Sequence, residues 1–388
     1  MRSSCRQLLT IGHSYIVPLN RRLANEMSRI GQSDWEITVI SPLALKGDLR
    51  PLRFEPELHD RASVEGIPVL FDQIPHLMLY SNRLREILQQ GWDLVHCWEE
   101  PYILSGGQVA WQTPSQTPLV YFTFQNNSKR YLPPFNWIEA QTMQRSTGWI
   151  ASGHTVANAL KHRQGYDRPM QIIPLGVDVE HFSPSSGMRQ SIHQQLEWDS
   201  SDAPVIGFLG RFVPEKGLSM LMRVLDRVVQ PWRAIFVGTG VMEAELRSWA
   251  AQYGDRVRIC TTVTHDHVPQ YLNAMDLLCA PSQTAPHWRE QFGRMLIEAF
   301  ACGVPVIGSD SGEIPYVIGD AGIVLDEKDE QAWLRAISML LDDPTQRTAL
   351  AERGLDRAYS VYQWSVVARQ HLEFFNSILG GMRVKQYI

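Results

Sequence analysis

Two carboxylates, Glu290 and Glu298, stand eight positions apart in Glu290-Gln-Phe-Gly-Arg-Met-Leu-Ile-Glu298-Ala-Phe-Ala-Cys-Gly-Val-Pro-Val-Ile, and the residues between them describe an anion site. Met295, Leu296, Ile297, Ala299, Phe300 and Ala301 read as a short apolar helix ending at Gly303, followed by a buried strand over Val304–Ile307. A helix that apolar lies inside a domain. Its N-terminus, running from Gly293 and Arg294 into Met295 and Leu296, presents unpaired N–H groups and a positive dipole end, and Gly293 lets a ligand approach the backbone closely. A phosphate suits that position. Carboxylates do not bind phosphate directly, so they are expected to accept hydrogen bonds from hydroxyls at the two ends of a diphosphate, one on a sugar and one on a ribose. These residues imply a nucleotide diphosphate sugar.

Around this segment stand Gly210-Arg-Phe-Val-Pro-Glu-Lys216-Gly217, Phe236-Val-Gly-Thr-Gly240, Ser309-Asp-Ser-Gly-Glu-Ile-Pro315 and Ile173-Pro-Leu-Gly-Val-Asp178. Together with Glu290 and Glu298 they resemble the motifs of the retaining, two-Rossmann-domain (GT-B) glycosyltransferases of family 4, also called glycosyl transferases group 1. The parallels are the E-x7-E segment, the G-R-x-x-x-x-K-G loop, a second glycine turn, and an I-P-N-G-V-D linker in which this chain has Leu175 for the usual asparagine. The resemblance is strong over the second half and loose over the first. It implies that Glu290 contacts the donor sugar, Glu298 the ribose, and that the last helix, about Tyr362–Leu379, crosses back onto the first domain. It also implies retention of anomeric configuration, with the departing phosphate taking the acceptor's proton.

Elements able to hold such a site alternate along the chain. Strand signals at Leu8–Ile11, Ile37–Ile40, Leu94–Cys97, Leu119–Phe122, Trp149–Ala151 and Gln171–Ile173 are separated by helical stretches such as Arg21–Ile30. A second series follows at Val205–Leu209, Ala234–Val237, Val257–Ile259, Leu277–Ala280, Val304–Ile307 and Ile323–Leu325. Leu218, Leu221, Met222, Leu225, Val228 and Val229 fall on one helical face. Alternation of this kind implies parallel sheets, and such sheets bind ligands beyond the C-terminal ends of their strands. With the resemblance, the expected fold class is α/β: GT-B, two Rossmann-like domains whose sheets face across a cleft. The expected divisions are 1–180 for the acceptor, 181–361 for the donor, and 362–388 for the returning helix. A hinge is expected at Asp178–Ser201, where Pro184, Ser185, Ser186 and Gly187 interrupt the pattern.

Polar residues following each strand become site candidates. Arg211 offers a planar fork and Lys216 a point charge, both suited to a diphosphate. Gly238 and Gly240 lack the third glycine of a dinucleotide fingerprint, position 243 being Glu243, so they read as a tight turn near the donor. In the first domain His13, Glu99 and Gln125 are the acceptor-side candidates, with Glu100 beside them. Family members carry a glycine pair and a histidine at two of these positions, where this chain has a single Gly12 and Gln125. Gln125 can hydrogen-bond a sugar hydroxyl but cannot carry charge.

Composition sets limits. The net charge is −5 over 388 residues, and neither half has a basic excess, which argues against a nucleic-acid partner. Five scattered cysteines without C-x-x-C pairs read as free thiols in a reducing compartment. Neither a signal-peptide region nor a membrane-length apolar run is evident. The expectation is a soluble cytoplasmic protein, at most peripheral to the inner face of a membrane if its acceptor is lipid-linked. His265-Asp-His267 lacks a third metal ligand and reads as loop or helix-cap residues, and no Asp-x-Asp triplet occurs. No metal and no cofactor are therefore expected; Arg211, Lys216 and the helix N-terminus neutralise the leaving group. The expected partners are a nucleotide-sugar donor and a saccharide or lipid-linked acceptor, in polysaccharide or glycoconjugate biosynthesis. Three alternatives remain open from sequence: a GT-B phosphorylase or hydrolase, a nucleotide-sugar epimerase, and a non-catalytic nucleotide-sugar-binding partner protein.

Overall fold

Strand-forming residues and burial coincide at the two sheets of a computed structural model, which describes residues 5–46, 51–58, 60–127, 129–163, 166–198 and 203–381. The chain forms two compact units, one made of Met1–Pro174 with Trp364–Ile388 and the other of Leu175–Gln363.

The first unit holds a parallel sheet of seven strands: β1 (Arg6–Ile11), β2 (Trp35–Pro42), β3 (Ser63–Ile67), β4 (Leu94–Cys97), β5 (Leu119–Thr123), β6 (Gly148–Ala151) and β7 (Met170–Ile172), in the order β7-β6-β5-β4-β1-β2-β3. Its central strands read as unbroken apolar runs because both faces are covered. Leu8, Leu9, Val95, Tyr121 and Trp149 are all fully buried. On one face helix α1 (Pro18–Ile30), opened by a proline at its first position, buries Leu23, Ala24 and Met27. The second unit holds six parallel strands: β8 (Val205–Leu209), β9 (Arg233–Val237), β10 (Val257–Cys260), β11 (Leu277–Ala280), β12 (Val306–Ser309) and β13 (Ile323–Leu325), in the order β10-β9-β8-β11-β12-β13. Helix α2 (Leu218–Leu225) packs on them through Leu218, Leu221, Met222 and Leu225, each burial stabilising by roughly 1.5–3 kcal/mol.

Several elements differ from the sequence expectation for local reasons. The α2 face stops short: beyond Leu225 the backbone tightens, Val228 N–H bonding to Leu225 O (3.2 Å), and Val229 is exposed. The strand expected at Val304–Ile307 begins at Val306, because the Val304 N–H bonds back to the Ala299 carbonyl (2.9 Å) and closes the preceding helix. Ser186 and Gly187 start a helix, Ser186–Gln195, rather than interrupting the pattern. Ser185 caps it, its hydroxyl accepting from Met188 N–H (3.3 Å). Residues 199–201 of the expected hinge lie outside the described residues, as do 382–388 of the expected terminal segment. The edge strand β3 has no counterpart in the sequence reading, nor do two short antiparallel pairs, Ala44–Leu45 with Leu52–Arg53 and Val69–Leu70 with Leu79–Tyr80. All five cysteines are free. Among the described residues no helix is long and apolar enough to cross a membrane.

The last helix, α4 (Trp364–Leu379), belongs to the first unit and buries Val367, Ala368, His371, Leu372, Phe374 and Phe375. Phe374 and Ile378 pack where a side chain at Gly148 would stand. Two buried histidines meet in this layer. His371 donates from Nδ1 to the Val367 carbonyl (2.9 Å), and its ring meets that of His96 edge to face at 5.8 Å. Burial pulls the His371 pKa down to about 4, and burial with the neighbouring His371 holds His96 well below its ordinary value. The unfolded chain takes up protons at these rings near pH 6.5 and the folded chain does not, so stability is full above that pH and falls as the pH drops towards 4. His371 alone accounts for about 3 kcal/mol across this window. We predict that urea stability measured between pH 7 and pH 4 falls accordingly, and that His371→Phe flattens the dependence.

Candidate functional site

Loops leaving the C-terminal ends of β8 and β9 touch backbone to backbone. Gly238 follows β9 with φ 150°, and a side chain there would lie 1.8 Å from the Gly210 carbonyl, so only glycine allows the approach. Gly240 likewise lies against Phe212, whose N–H donates to Thr239 O (2.8 Å) and whose carbonyl accepts from Met242 N–H (2.9 Å). The glycine pair thus locks two loops together at the rim. Arg211 is exposed on one of them.

The same loop carries Lys216 to Glu290. The two form a buried ion pair, their side chains 12% and 9% exposed, and Lys216 Nζ also lies 5.4 Å from the centre of the Trp288 ring. Ser282, just past β11, donates its hydroxyl to Glu290 Oε2 (2.9 Å), and the Glu290 carbonyl accepts from Glu313 N–H (3.0 Å).

Four residues on begins helix α3 (Arg294–Ala301), with Gly293 as its N-cap at φ 83° and no side-chain cap. Gly293 is therefore required by conformation, and no side-chain cap closes the first turn, in which Leu296 N–H donates to the Gly293 carbonyl (2.9 Å). Burial lowers the Arg294 pKa, with Glu298 opposing the shift. Met295 and Leu296 continue the turn, Leu296 fully buried. Glu298, in the second turn, is 5% exposed and meets His265 Nε2 through Oε1 (2.9 Å). His267 turns elsewhere, its Nδ1 against Thr264 Oγ1 (2.8 Å), so the two imidazoles of His265-Asp-His267 do not converge. Among the described residues no group of three metal-ligating side chains occurs.

In the first unit His13 follows β1 and Glu99 follows β4. Glu99 is 1% exposed; it accepts from the His13 backbone N–H (2.8 Å) and the Tyr80 hydroxyl (2.7 Å) through Oε1, and meets His13 Nδ1 through Oε2 (2.5 Å). Burial works against a charged His13 ring, but the Glu99 carboxylate, with Glu100 behind, outweighs it and raises the pKa. Glu100 is held by Thr123 Oγ1 (2.6 Å) and Phe124 N–H (2.8 Å). Gln125 does not join the pair: its amide nitrogen donates to Tyr131 OH (2.8 Å).

Residues 19–181 match the family model described as Glycosyltransferase Family 4, and residues 188–357 the one described as glycosyl transferases group 1. The chain belongs to this glycosyltransferase family. Among curated relatives of the family member, the GDP-mannose-dependent monoacylated alpha-(1-6)-phosphatidylinositol monomannoside mannosyltransferase of Corynebacterium glutamicum is 28% identical over 51% of this chain and 54% of its own length. The D-inositol 3-phosphate glycosyltransferase of Salinispora tropica is 29% identical over 64% of this chain and 54% of its own. The chain thus spans about half the length of these relatives. Sucrose-phosphate synthase from Thermosynechococcus elongatus is similar in structure with a TM-score of 0.71 at 19% identity, over 97% of this chain and 100% of the other. HepE of Anabaena in complex with UDP gives 0.72 at 19%, over 96% and 100%. These likenesses make the fold GT-B.

Within the family member, the structure brings Lys216 to Glu290 in one unit and His13 to Glu99 in the other. Sequence reasoning missed Ser282, His265 and Tyr80 as partners. Ser282 and His265 both follow sheet strands, so the rule that picked out Arg211 also reaches them; Tyr80 comes from a two-residue strand that leaves no signal. Removing one half of a buried ion pair strands the other charge, at about 3 kcal/mol or more. We predict that Lys216→Met lowers urea stability by that order, and that adding Glu290→Gln restores most of it, a coupling read from a double-mutant cycle.

Proposed function

We propose that this chain transfers a sugar from a nucleotide diphosphate sugar to an acceptor hydroxyl, with retention at the anomeric carbon. The observation that carries it is the buried Lys216–Glu290 pair beside the uncapped N-terminus of α3, at the C-terminal rim of a parallel sheet. An ammonium, a carboxylate and a row of amides in one place answer the three chemistries of a nucleotide sugar: phosphate charge, sugar hydroxyl and phosphate oxygen.

In this reading the diphosphate takes the Lys216 ammonium and the α3 amides, with Arg211 adding a second cation. Glu290, released from its lysine, accepts hydrogen bonds from donor-sugar hydroxyls, and Glu298 accepts from the ribose. His265 holds Glu298 in place from the other side. As the bond from anomeric carbon to diphosphate breaks, negative charge grows on the leaving oxygen, where the cations and the helix dipole already point. That preorganised charge lowers the barrier without a dedicated base in the second unit. The departing phosphate takes the acceptor's proton directly or through another group. The second unit is then the donor domain and the first the acceptor domain. Support comes from the family membership, from the GDP-mannose named for one relative and from the UDP named with HepE.

Two measurements check this. A thermal-shift panel of UDP, GDP, ADP and their common sugar conjugates should show selective stabilisation by one nucleotide, lost in Glu298→Ala; no stabilisation by any of them counts against the reading. Glu290→Ala should lose charge-assisted hydrogen bonds of about 1.5–3 kcal/mol, a rate loss on the order of 10- to 100-fold, and unchanged turnover would sink its assignment.

A further inference from the structure

The loop that follows β5 is tied down by a ring stack and an arginine. Tyr131 stacks on Tyr102 with ring centres 4.0 Å apart, and the Arg163 guanidinium lies 5.3 Å from the centre of the Tyr131 ring. Arg163 also donates to the carbonyls of Lys129 (2.6 Å) and Asn127 (3.0 Å), so one largely buried side chain fixes both the ring and the backbone beside it. The loop then delivers Leu132 to solvent. That side chain is 80% exposed, and its carbonyl accepts from Phe135 N–H (3.0 Å), at the entry to the helix Phe135–Arg145. Trp137, in the first turn of that helix, is 58% exposed and meets Trp111 of the helix Leu104–Gln112 with ring centres 5.6 Å apart. Trp111 is itself 45% exposed. Three large apolar side chains thus stand in water at one place on the first unit, on a backbone tied in that position.

Cations border them. Trp137 lines a crevice of about 990 Å³ together with Lys129, Arg130, Arg163 and Arg168. The carboxylates that also line it are already engaged, Glu139 with Arg163 (3.2 Å) and Asp167 with Arg168 (3.4 Å). Lys129 and Arg130 are exposed and have no carboxylate partner among the described residues. The local balance is therefore positive, on a chain whose net charge is −5.

Tryptophan beside lysine and arginine is the set of side chains that settles at the headgroup level of a bilayer, the rings at the acyl boundary and the cations against phosphate. A bilayer also accepts side chains that protrude, as Leu132 does, whereas a protein partner must offer each one a matching pocket. A second copy of this chain fits worse, since a two-fold contact would set Lys129 and Arg130 against their own counterparts. We infer that the face formed by Leu132, Trp137 and Trp111, with Lys129 and Arg130, docks the chain on a membrane surface that contains anionic phospholipid. Neither signal suffices alone: a few apolar side chains bind a bilayer weakly, and two exposed cations are screened by salt. Together they hold the chain reversibly, as attachment at the surface; no helix among the described residues is long and apolar enough to cross. The inference is independent of the transfer reaction proposed above and needs only residues of the first unit.

The test is flotation of the full chain with lipid vesicles. Wild type should float with vesicles of equal parts phosphatidylglycerol and phosphatidylcholine, stay behind with phosphatidylcholine alone, and be released as salt rises. Lys129→Gln with Arg130→Gln should lower the partition coefficient about 25-fold, roughly five-fold for each cation. Leu132→Ser with Trp137→Ser should lower it about 10-fold or more while the melting temperature holds, since both side chains are exposed. Brominated acyl chains should quench the tryptophan fluorescence of bound wild type, and Trp111→Phe with Trp137→Phe should remove that quenching, which separates insertion from adsorption by charge alone. Failure to float with phosphatidylglycerol, undiminished flotation of either Gln or Ser double variant, or quenching that survives the loss of both tryptophans overturns the inference. So does a wild-type dimer in sedimentation velocity that Trp137→Ser dissolves, because the face is then an interface between copies.

Discussion

Glu290 is the residue on which the second unit's site depends, because its carboxylate and its backbone together bond to three loops of that unit. Lys216 comes from beyond β8, Ser282 from beyond β11, and Glu313 from beyond β12, and each bonds to Glu290. Gly312 is small enough for the Glu290 backbone to lie within 2.0 Å of where a side chain would begin. A buried carboxylate stays charged only while it has such partners. The ion pair therefore serves two ends: it compensates a charge that has lost its water, and it fixes where an ammonium and a carboxylate stand before a ligand exchanges with them. Rigid placement matters here because misplacing a charge by about 1 Å forfeits much of its effect on a transition state.

The first unit solves the same problem by other means. There the carboxylate is buried behind a histidine whose side chain is 42% exposed. Glu99 has both oxygens occupied by His13 and Tyr80, so what the unit offers a ligand is the ring that Glu99 aims. One unit pairs its buried carboxylate with an ammonium; the other pairs it with a ring that is partly exposed.

Much of this was legible in the sequence. Period and apolar runs located β4, β8, β11 and β13 to the residue, since a strand buried on both faces carries its own signature. The rule that ligand residues follow strands gathered Arg211, Lys216, His13 and Glu99. What remained hidden depended on distance along the chain. The Lys216–Glu290 contact spans 74 positions and the His13–Glu99 contact 86, and no local pattern encodes either. Edge strand β3, Ser-Val-Glu-Gly-Ile, was illegible because an edge tolerates a glutamate and a glycine that a central strand would exclude. Val229 continues a helical period that the backbone abandons, so the pattern outlasted the element.

The first unit is assembled from the two ends of the chain. Its sheet is complete by Ile172, but one of its apolar layers waits for α4, which begins at Trp364. During synthesis the second unit, contiguous from Leu175 to Gln363, emerges whole before that helix does. A growing chain therefore holds a finished second unit together with an open sheet whose histidine and aromatic residues, buried once α4 docks, are still wet. Such a surface is a target for chaperones and for proteases until α4 is made. Only a chain synthesised through α4 closes that layer, so quality control of the nascent protein acts on the first unit.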